Sequence, residues 1–219
     1  MVATVLPLAL VVGLSPIPIM PAMLLLMTSR GRANGLAYLA AWTVALALVA
    51  AAAVWVGRLA DPAPATEAGI GWVQVVTGAV FLALAVAKWV RRPRTGDAKE
   101  PPGWMTALDS YSPGRSARLG ALLAAANPKN LAMALAAGAE IAVLTTGAAS
   151  TAIGLLGFVM VGSVGVATPV LAHLGLGDRA APALERGRRW LDRNSTALSV
   201  GVLTALGAAL LVKGLSITA

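Results

Sequence analysis

Residues 119–143 read LGALLAAANPKNLAMALAAGAEIAV. At a rise of about 1.5 Å per residue this run is long enough to cross the roughly 30 Å hydrocarbon core of a bilayer as a helix. Asn127-Pro128-Lys129-Asn130 cuts it near its middle. Proline has no backbone N–H, and its ring clashes with the preceding turn, so a continuous helix should fail there. Asparagine followed by proline is also a helix-start pattern, with a capping side chain and then Pro at the first helical position. The run therefore reads as a membrane helix broken inside the bilayer, with a half-helix beginning at Pro128.

The rest of the chain repeats the theme. Of its 219 residues 58% are hydrophobic and only 12% charged, and the mean hydropathy is +0.80. A soluble domain carries about twice that charge fraction. Six apolar runs stand out, at 2–27, 36–57, 68–87, 119–143, 146–172 and 196–212. They are too long, and too little alternating, for β-barrel strands. The first lacks a basic leader and contains several prolines, so it is expected to be a retained span rather than a cleaved signal peptide. The expected fold is an all-α integral membrane protein with six transmembrane helices.

Orientation follows from the basic residues. Of the 17 Lys and Arg, 14 fall in the connections after runs 1, 3 and 5, and only Arg58 in those after runs 2 and 4. The positive-inside rule places the three basic connections in the cytoplasm and both termini outside. The net charge of +8 thus belongs to membrane orientation and anionic headgroups. With 5% aromatic residues, no stacking platform for nucleic acid is expected. Residues 91–118 carry Pro93, Pro101, Pro102, Gly103, Pro113 and Gly114, and read as an irregular cytoplasmic linker between two three-helix halves, 1–90 and 119–219. Trp104 is expected on the membrane surface. Arg186, Arg188 and Arg189 read as orienting charges, with lipid phosphates as their alternative partners.

The first run carries a second break. Ser15-Pro16-Ile17-Pro18 is followed by Pro21, and Ser15-Pro16 is again a cap followed by Pro. The first run passes inward and the fourth outward. Helices 1 and 4, each broken by a proline motif, would thus sit at corresponding places in two inverted three-helix repeats. That arrangement points to a transport site near the midplane.

Lys129 falls beside the N-terminus of the fourth-run half-helix, where the helix dipole disfavours a cation. An ionised side chain at mid-membrane costs a further 2.5–3.5 kcal/mol or so. A transported anion, a buried water path or carbonyls freed by Pro128 would each compensate it. Ser15, Pro16, Pro18, Asn127, Pro128, Lys129 and Asn130 form the candidate substrate-binding set, with the two asparagines equally readable as caps. Glu140 and His173 are candidates for proton coupling, against interfacial positions for both. Gly154, Gly157, Gly162 and Gly165 are expected to allow close helix packing. The chain has no cysteine and one histidine, and no catalytic constellation, metal-ligand set or cofactor motif is visible. It does not read as an enzyme.

The residues Ser15-Pro16-Ile17-Pro18-Ile19, the turn Ser29-Arg30-Gly31-Arg32-Ala33-Asn34-Gly35, and Asn127-Pro128-Lys129-Asn130 together resemble the LysE transporter superfamily. Within it the likeness is to the peptidoglycolipid-addressing protein (GAP) family, and it covers essentially the whole chain. The resemblance implies an exporter of cell-envelope lipid or glycolipid in the bacterial cytoplasmic (inner) membrane. Its partners would be membrane lipids and a larger lipid transporter, with a homo-oligomer as one arrangement. The first-helix motif departs from the Pro-Gly-Pro of the amino-acid exporters, which favours the lipid branch. An amino-acid or ion exporter, and a non-transporting scaffold of a lipid-export complex, are the alternatives.

Overall fold

A computed structural model describes residues 2–59, 67–90 and 110–218, and all regular elements among them are helices. In chain order these are α1 (Val2–Gly13), α2 (Pro16–Leu26), α3 (Gly31–Leu59), α4 (Glu67–Val90), α5 (Pro113–Ala125), α6 (Pro128–Leu144), α7 (Ala148–Leu176) and α8 (Ala181–Thr218). A 3-10 turn, Gly177–Ala180, joins the last two. Three helices are long and apolar enough to cross a membrane, over Gly31–Leu59, Ala148–Leu176 and Ala181–Ile217. Thr4–Gly13 and Pro16–Leu26, bent by 45° at their break, make a fourth if they count as one span. The protein is an all-α membrane protein with three such spans, or up to four.

Two boundaries differ from the sequence reading. Helix α5 begins at Pro113, inside the stretch read as irregular linker. Ser112 is extended (φ −87°, ψ 162°) and its hydroxyl accepts the Arg115 N–H at 3.4 Å. Pro113-Gly114 thus opens a helix rather than preventing one, because proline at the first position has no N–H to lose. The remainder, 91–109, lies outside the described residues, Trp104 with it. The basic residues from Arg186 to Arg193 lie inside α8, not in a connection before it. Arg188 pairs with Glu185 at 2.8 Å and Asp192 at 3.0 Å. These spacings of three and four residues place partners on one helix face, which favours the helix where apolar periodicity is lacking. The sixth apolar run is therefore the later part of a 38-residue helix. As the Asn127-Pro128 pair foretold, the fourth run is divided, and α6 has only 17 residues, about 25 Å.

The chain divides into two compact units, one of Met1–Ala60 with Glu100–Asp192, the other of Asp61–Lys99 with Arg193–Ala219. In the first, α3 is the central post. Tyr38, Trp42, Leu46 and Ala50 are fully buried along it, and α5, α6, α7 and α2 all pack on it. Gly120 and Gly138 lie one on each side of the α5–α6 break. A Cβ at Gly120 would strike the Tyr38 carbonyl, and one at Gly138 the Ala50 carbonyl and, at 2.5 Å, the Ala53 side chain. Small residues here let the two backbones touch, which is how helices gain packing where lipid offers no hydrophobic contrast. The second unit uses the same device. A Cβ on Gly78 of α4 would lie 2.7 Å from the Gly207 carbonyl of α8.

Candidate functional site

The two proline motifs produce nearly the same backbone. Ser15 has φ −74°, ψ 119°, and Asn127 has φ −70°, ψ 117°. Each is extended, and each is followed by proline at the first position of a half-helix, α2 or α6. Asn127 completes its cap, its Oδ1 accepting the Lys129 N–H at 3.1 Å. Ser15 is buried and makes no cap bond with its side chain. Pro21 lies within α2 without ending it.

Breaking a helix leaves carbonyls without their usual N–H, and buried ones must be met some other way. At the first break the Leu14 N–H reaches the Leu10 carbonyl, but the Ser15 N–H turns to Val12 at 3.2 Å and passes over Val11. Lys129 Nζ donates to that Val11 carbonyl at 2.8 Å. At the second break the Ala126 N–H bonds Leu122, and Asn130 Nδ2 donates to the next carbonyl, Leu123, at 2.9 Å. Tyr38 supports α2 from the central post, its hydroxyl donating to the Pro18 carbonyl at 2.8 Å. Two side chains of one half-helix, Lys129 and Asn130, thus close carbonyls at both breaks.

The Lys129–Val11 bond also brings the two motifs together, although 118 positions separate them in sequence. A carbonyl dipole satisfies one ammonium donor without cancelling the charge. The N-terminus of α6 adds its own partial positive charge beside it. Asn130 Oδ1 is buried with no hydrogen-bond partner. Of the other candidates, Pro16 and Pro18 are buried within the first motif, Asn127 is half-buried, and Pro128 is exposed.

Glu140 and His173 do not join this cluster. Glu140 is half-buried on α6, ten residues or about 15 Å beyond Asn130 along the helix. His173, near the end of α7, lines a separate cavity with the α2–α3 turn. The glycines of α7 divide in role. Gly162 and Gly165 pack against α1, a Cβ at Gly165 striking the Gly13 carbonyl. Gly157 has nothing within 4 Å of its Cβ position; with Gly154 it lines an apolar groove against Val5, Leu6 and Ala9 of α1. Close packing is therefore not the role of Gly157, which faces open space. Among the described residues no group of three or more His, Asp or Glu gathers as a metal-ligand set.

A family model described as Sap, sulfolipid-1-addressing protein, matches residues 5–216. The chain belongs to this family. No curated protein and no solved structure matches it. In this sulfolipid-1-addressing family member the match takes in both breaks and the Ser29–Gly35 turn. A lipid-related role agrees with the membrane-length helices.

Sequence reading missed one polar cluster of this family member. Arg58, the single basic residue of the two charge-poor connections, donates to the Thr145 carbonyl at 3.2 Å and to Thr151 Oγ1 at 2.6 Å. Thr145 and Thr151 are themselves 3.0 Å apart. The cluster ties the end of α3 to the α6–α7 corner. Its only sequence signal was a lone arginine, because its partners lie 87 and 93 positions away.

Proposed function

We propose that this chain is a transporter, not an enzyme, that exports an anionic or amphipathic lipid or glycolipid of the cell envelope. The single observation that carries the reading is the Lys129–Val11 hydrogen bond. It joins two interrupted helices with matching backbone at their breaks and sets a cation where both break. An anionic cargo would suit this break, in line with the preference of helix N-termini for anions. The apolar groove between α1 and α7, about 180 Å³, is suited to an acyl chain alongside it.

In this reading the chain crosses the bacterial cytoplasmic membrane six times, as two inverted three-helix repeats. α4 and the α5–α6 pair supply the crossings beyond the four longest, and both termini lie outside. This is the LysE-type organisation that the proline motifs resemble. Membrane lipids are the partners, a larger lipid transporter of the same membrane is the natural collaborator, and self-association is compatible with the arrangement. Ser15, Pro16, Pro18, Asn127, Pro128, Lys129 and Asn130 line the substrate path, and Glu140 and His173 stand as groups for proton coupling.

The test uses proteoliposomes holding a fluorescently labelled acidic glycolipid, with movement between leaflets read by quenching from outside. Wild-type protein should move the lipid, and Lys129→Met should slow it at least roughly tenfold while the melting temperature changes little. Lys129→Arg should restore only part, because a planar guanidinium replaces a compact ammonium. Equal rates for wild type and Lys129→Met would remove the site. Loss of folding in Lys129→Met would instead make the lysine a brace for the Val11 carbonyl.

A further inference from the structure

We propose that Arg58, with Thr145 and Thr151, is a latch on the corner between α6 and α7. Closed, it holds the α1–α7 pair against the α3–α6 pair; open, it uncovers the helix breaks between them. Each pair is interlocked backbone to backbone. In the first, a Cβ at Gly13 of α1 would lie 2.5 Å from the Val161 carbonyl of α7, and one at Gly165 would strike the Gly13 carbonyl. In the second, Gly138 of α6 meets the Ala50 carbonyl of α3, and the Cβ position of Gly57 lies 3.1 Å from the Ala142 Cβ. Backbones in such contact leave no side chains to repack, so each pair moves as one body. The pairs meet each other through a softer contact. The fully buried Leu46 side chain of α3 ends 3.1 Å from the Cβ position of Gly162 on α7.

Proton bookkeeping at the corner shows why the arginine is needed. A threonine hydroxyl has one proton to donate. Thr145 gives its proton to the Ile141 carbonyl at 2.6 Å, and Thr151 gives its own to the Gly147 carbonyl at 2.8 Å. The two hydroxyl oxygens, 3.0 Å apart, then face each other with lone pairs alone. Arg58 Nη2 supplies the missing donor, 2.6 Å from Thr151 Oγ1 and 3.3 Å from Thr145 Oγ1. It also reaches the Thr145 carbonyl at 3.2 Å, at the C-terminal end of α6, where the helix dipole favours a cation. One guanidinium from α3 therefore holds the end of α6 to the first turn of α7.

The latch is built to open. Thr145 and Thr151 are buried, but Arg58 is exposed, and its three acceptors here are neutral oxygens that water can replace at small net cost. The corner itself resists little, since Thr145 (φ −131°, ψ 129°) and Gly147 (φ −118°, ψ 157°) are both extended. Lys129–Val11 is a tie between the same two pairs at the level of the breaks. Release at the corner would thus let α1 and α7 swing about that tie and away from α3 and α6, opening a path down to Leu46. The use of that opening as an exit for cargo rests on the export reading above, whereas the opening itself needs neither cargo nor transport.

Cysteine labelling of the full-length protein in nanodiscs tests it, because the chain has no cysteine of its own. Leu46→Cys reports on the meeting of the two pairs, and Ala50→Cys, also fully buried, on the inside of the α3–α6 pair. The rate of reaction with a small hydrophilic maleimide is read at each. Arg58→Gln should speed labelling at Leu46→Cys by about tenfold, as loss of one hydrogen bond to a charged group predicts. Thr151→Val keeps the shape of the side chain, removes the acceptor and should do the same. Arg58→Lys should fall between Arg58→Gln and wild type, because it keeps the charge and loses the fork. Labelling at Ala50→Cys should stay slow in all three. Unchanged labelling at Leu46→Cys in both Arg58→Gln and Thr151→Val would overturn the latch. An equal rise at Ala50→Cys would also overturn it, since the bundle would then have loosened as a whole. Opening as expected without any lipid movement by the wild-type protein would count against the export reading and leave the latch standing.

Discussion

Asn127 and Lys129 show how one dipeptide step carries several tasks. Asn127 caps α6 with its Oδ1 while Lys129, two residues on, sends its side chain away to Val11. Removing the cap with Asn127→Ala should cost about 1 kcal/mol of stability, read as a lower melting temperature in detergent, with the Lys129–Val11 bond left in place. A larger effect on lipid movement than on melting would make Asn127 a ligand as well as a cap. Both breaks were legible in the sequence, since a polar residue followed by proline is a local pattern and a helix starts at each proline, although only Asn127, not Ser15, caps with its side chain. The acceptor of Lys129 was not. A freed carbonyl 118 positions away leaves no mark on the sequence near the lysine.

Among elements, α3 shows how a membrane helix is held without a hydrophobic contrast to lipid. Its buried face meets glycines from both sides of the α5–α6 break, so the broken pair lies along one straight post. Gly138→Val should force α6 off α3 by driving a branched side chain into the Ala50 carbonyl and Ala53. A loss of about 2 kcal/mol or more is expected, as for overpacking of a tight core, and thermal unfolding in detergent measures it. Gly157→Val, whose Cβ position meets nothing within 4 Å, should leave the melting temperature nearly unchanged. If the two variants melt alike, close packing at Gly138 is not what holds the pair. Runs of hydrophobic residues foretold these helices, but not which glycine touches a neighbour. Gly157 and Gly162 occupy the same helix and the same composition, and only Gly162 is in contact.

For the molecule as a whole, the distribution of Lys and Arg makes a topological prediction. With 14 of 17 basic residues between apolar runs 1 and 2, 3 and 4, or 5 and 6, Thr146 should face outside and Ser110 the cytoplasm. In a chain without cysteine, an impermeant maleimide on intact cells should label Thr146→Cys and spare Ser110→Cys. The reverse pattern would invert the orientation. Membrane residence, helical class and the places of both breaks came from sequence alone. Each depends on local composition or on a dipeptide, because burial in lipid and proline's missing N–H act on a residue wherever it is. Tertiary structure alone decided which carbonyl Lys129 meets, that Arg58 joins Thr145 and Thr151, that His173 shares a cavity with Arg30 and Arg32, and that the basic stretch before the last apolar run is helical. Those outcomes hinge on which helices lie side by side, and side-by-side packing is set by small residues and chain crossings that no single stretch of sequence contains.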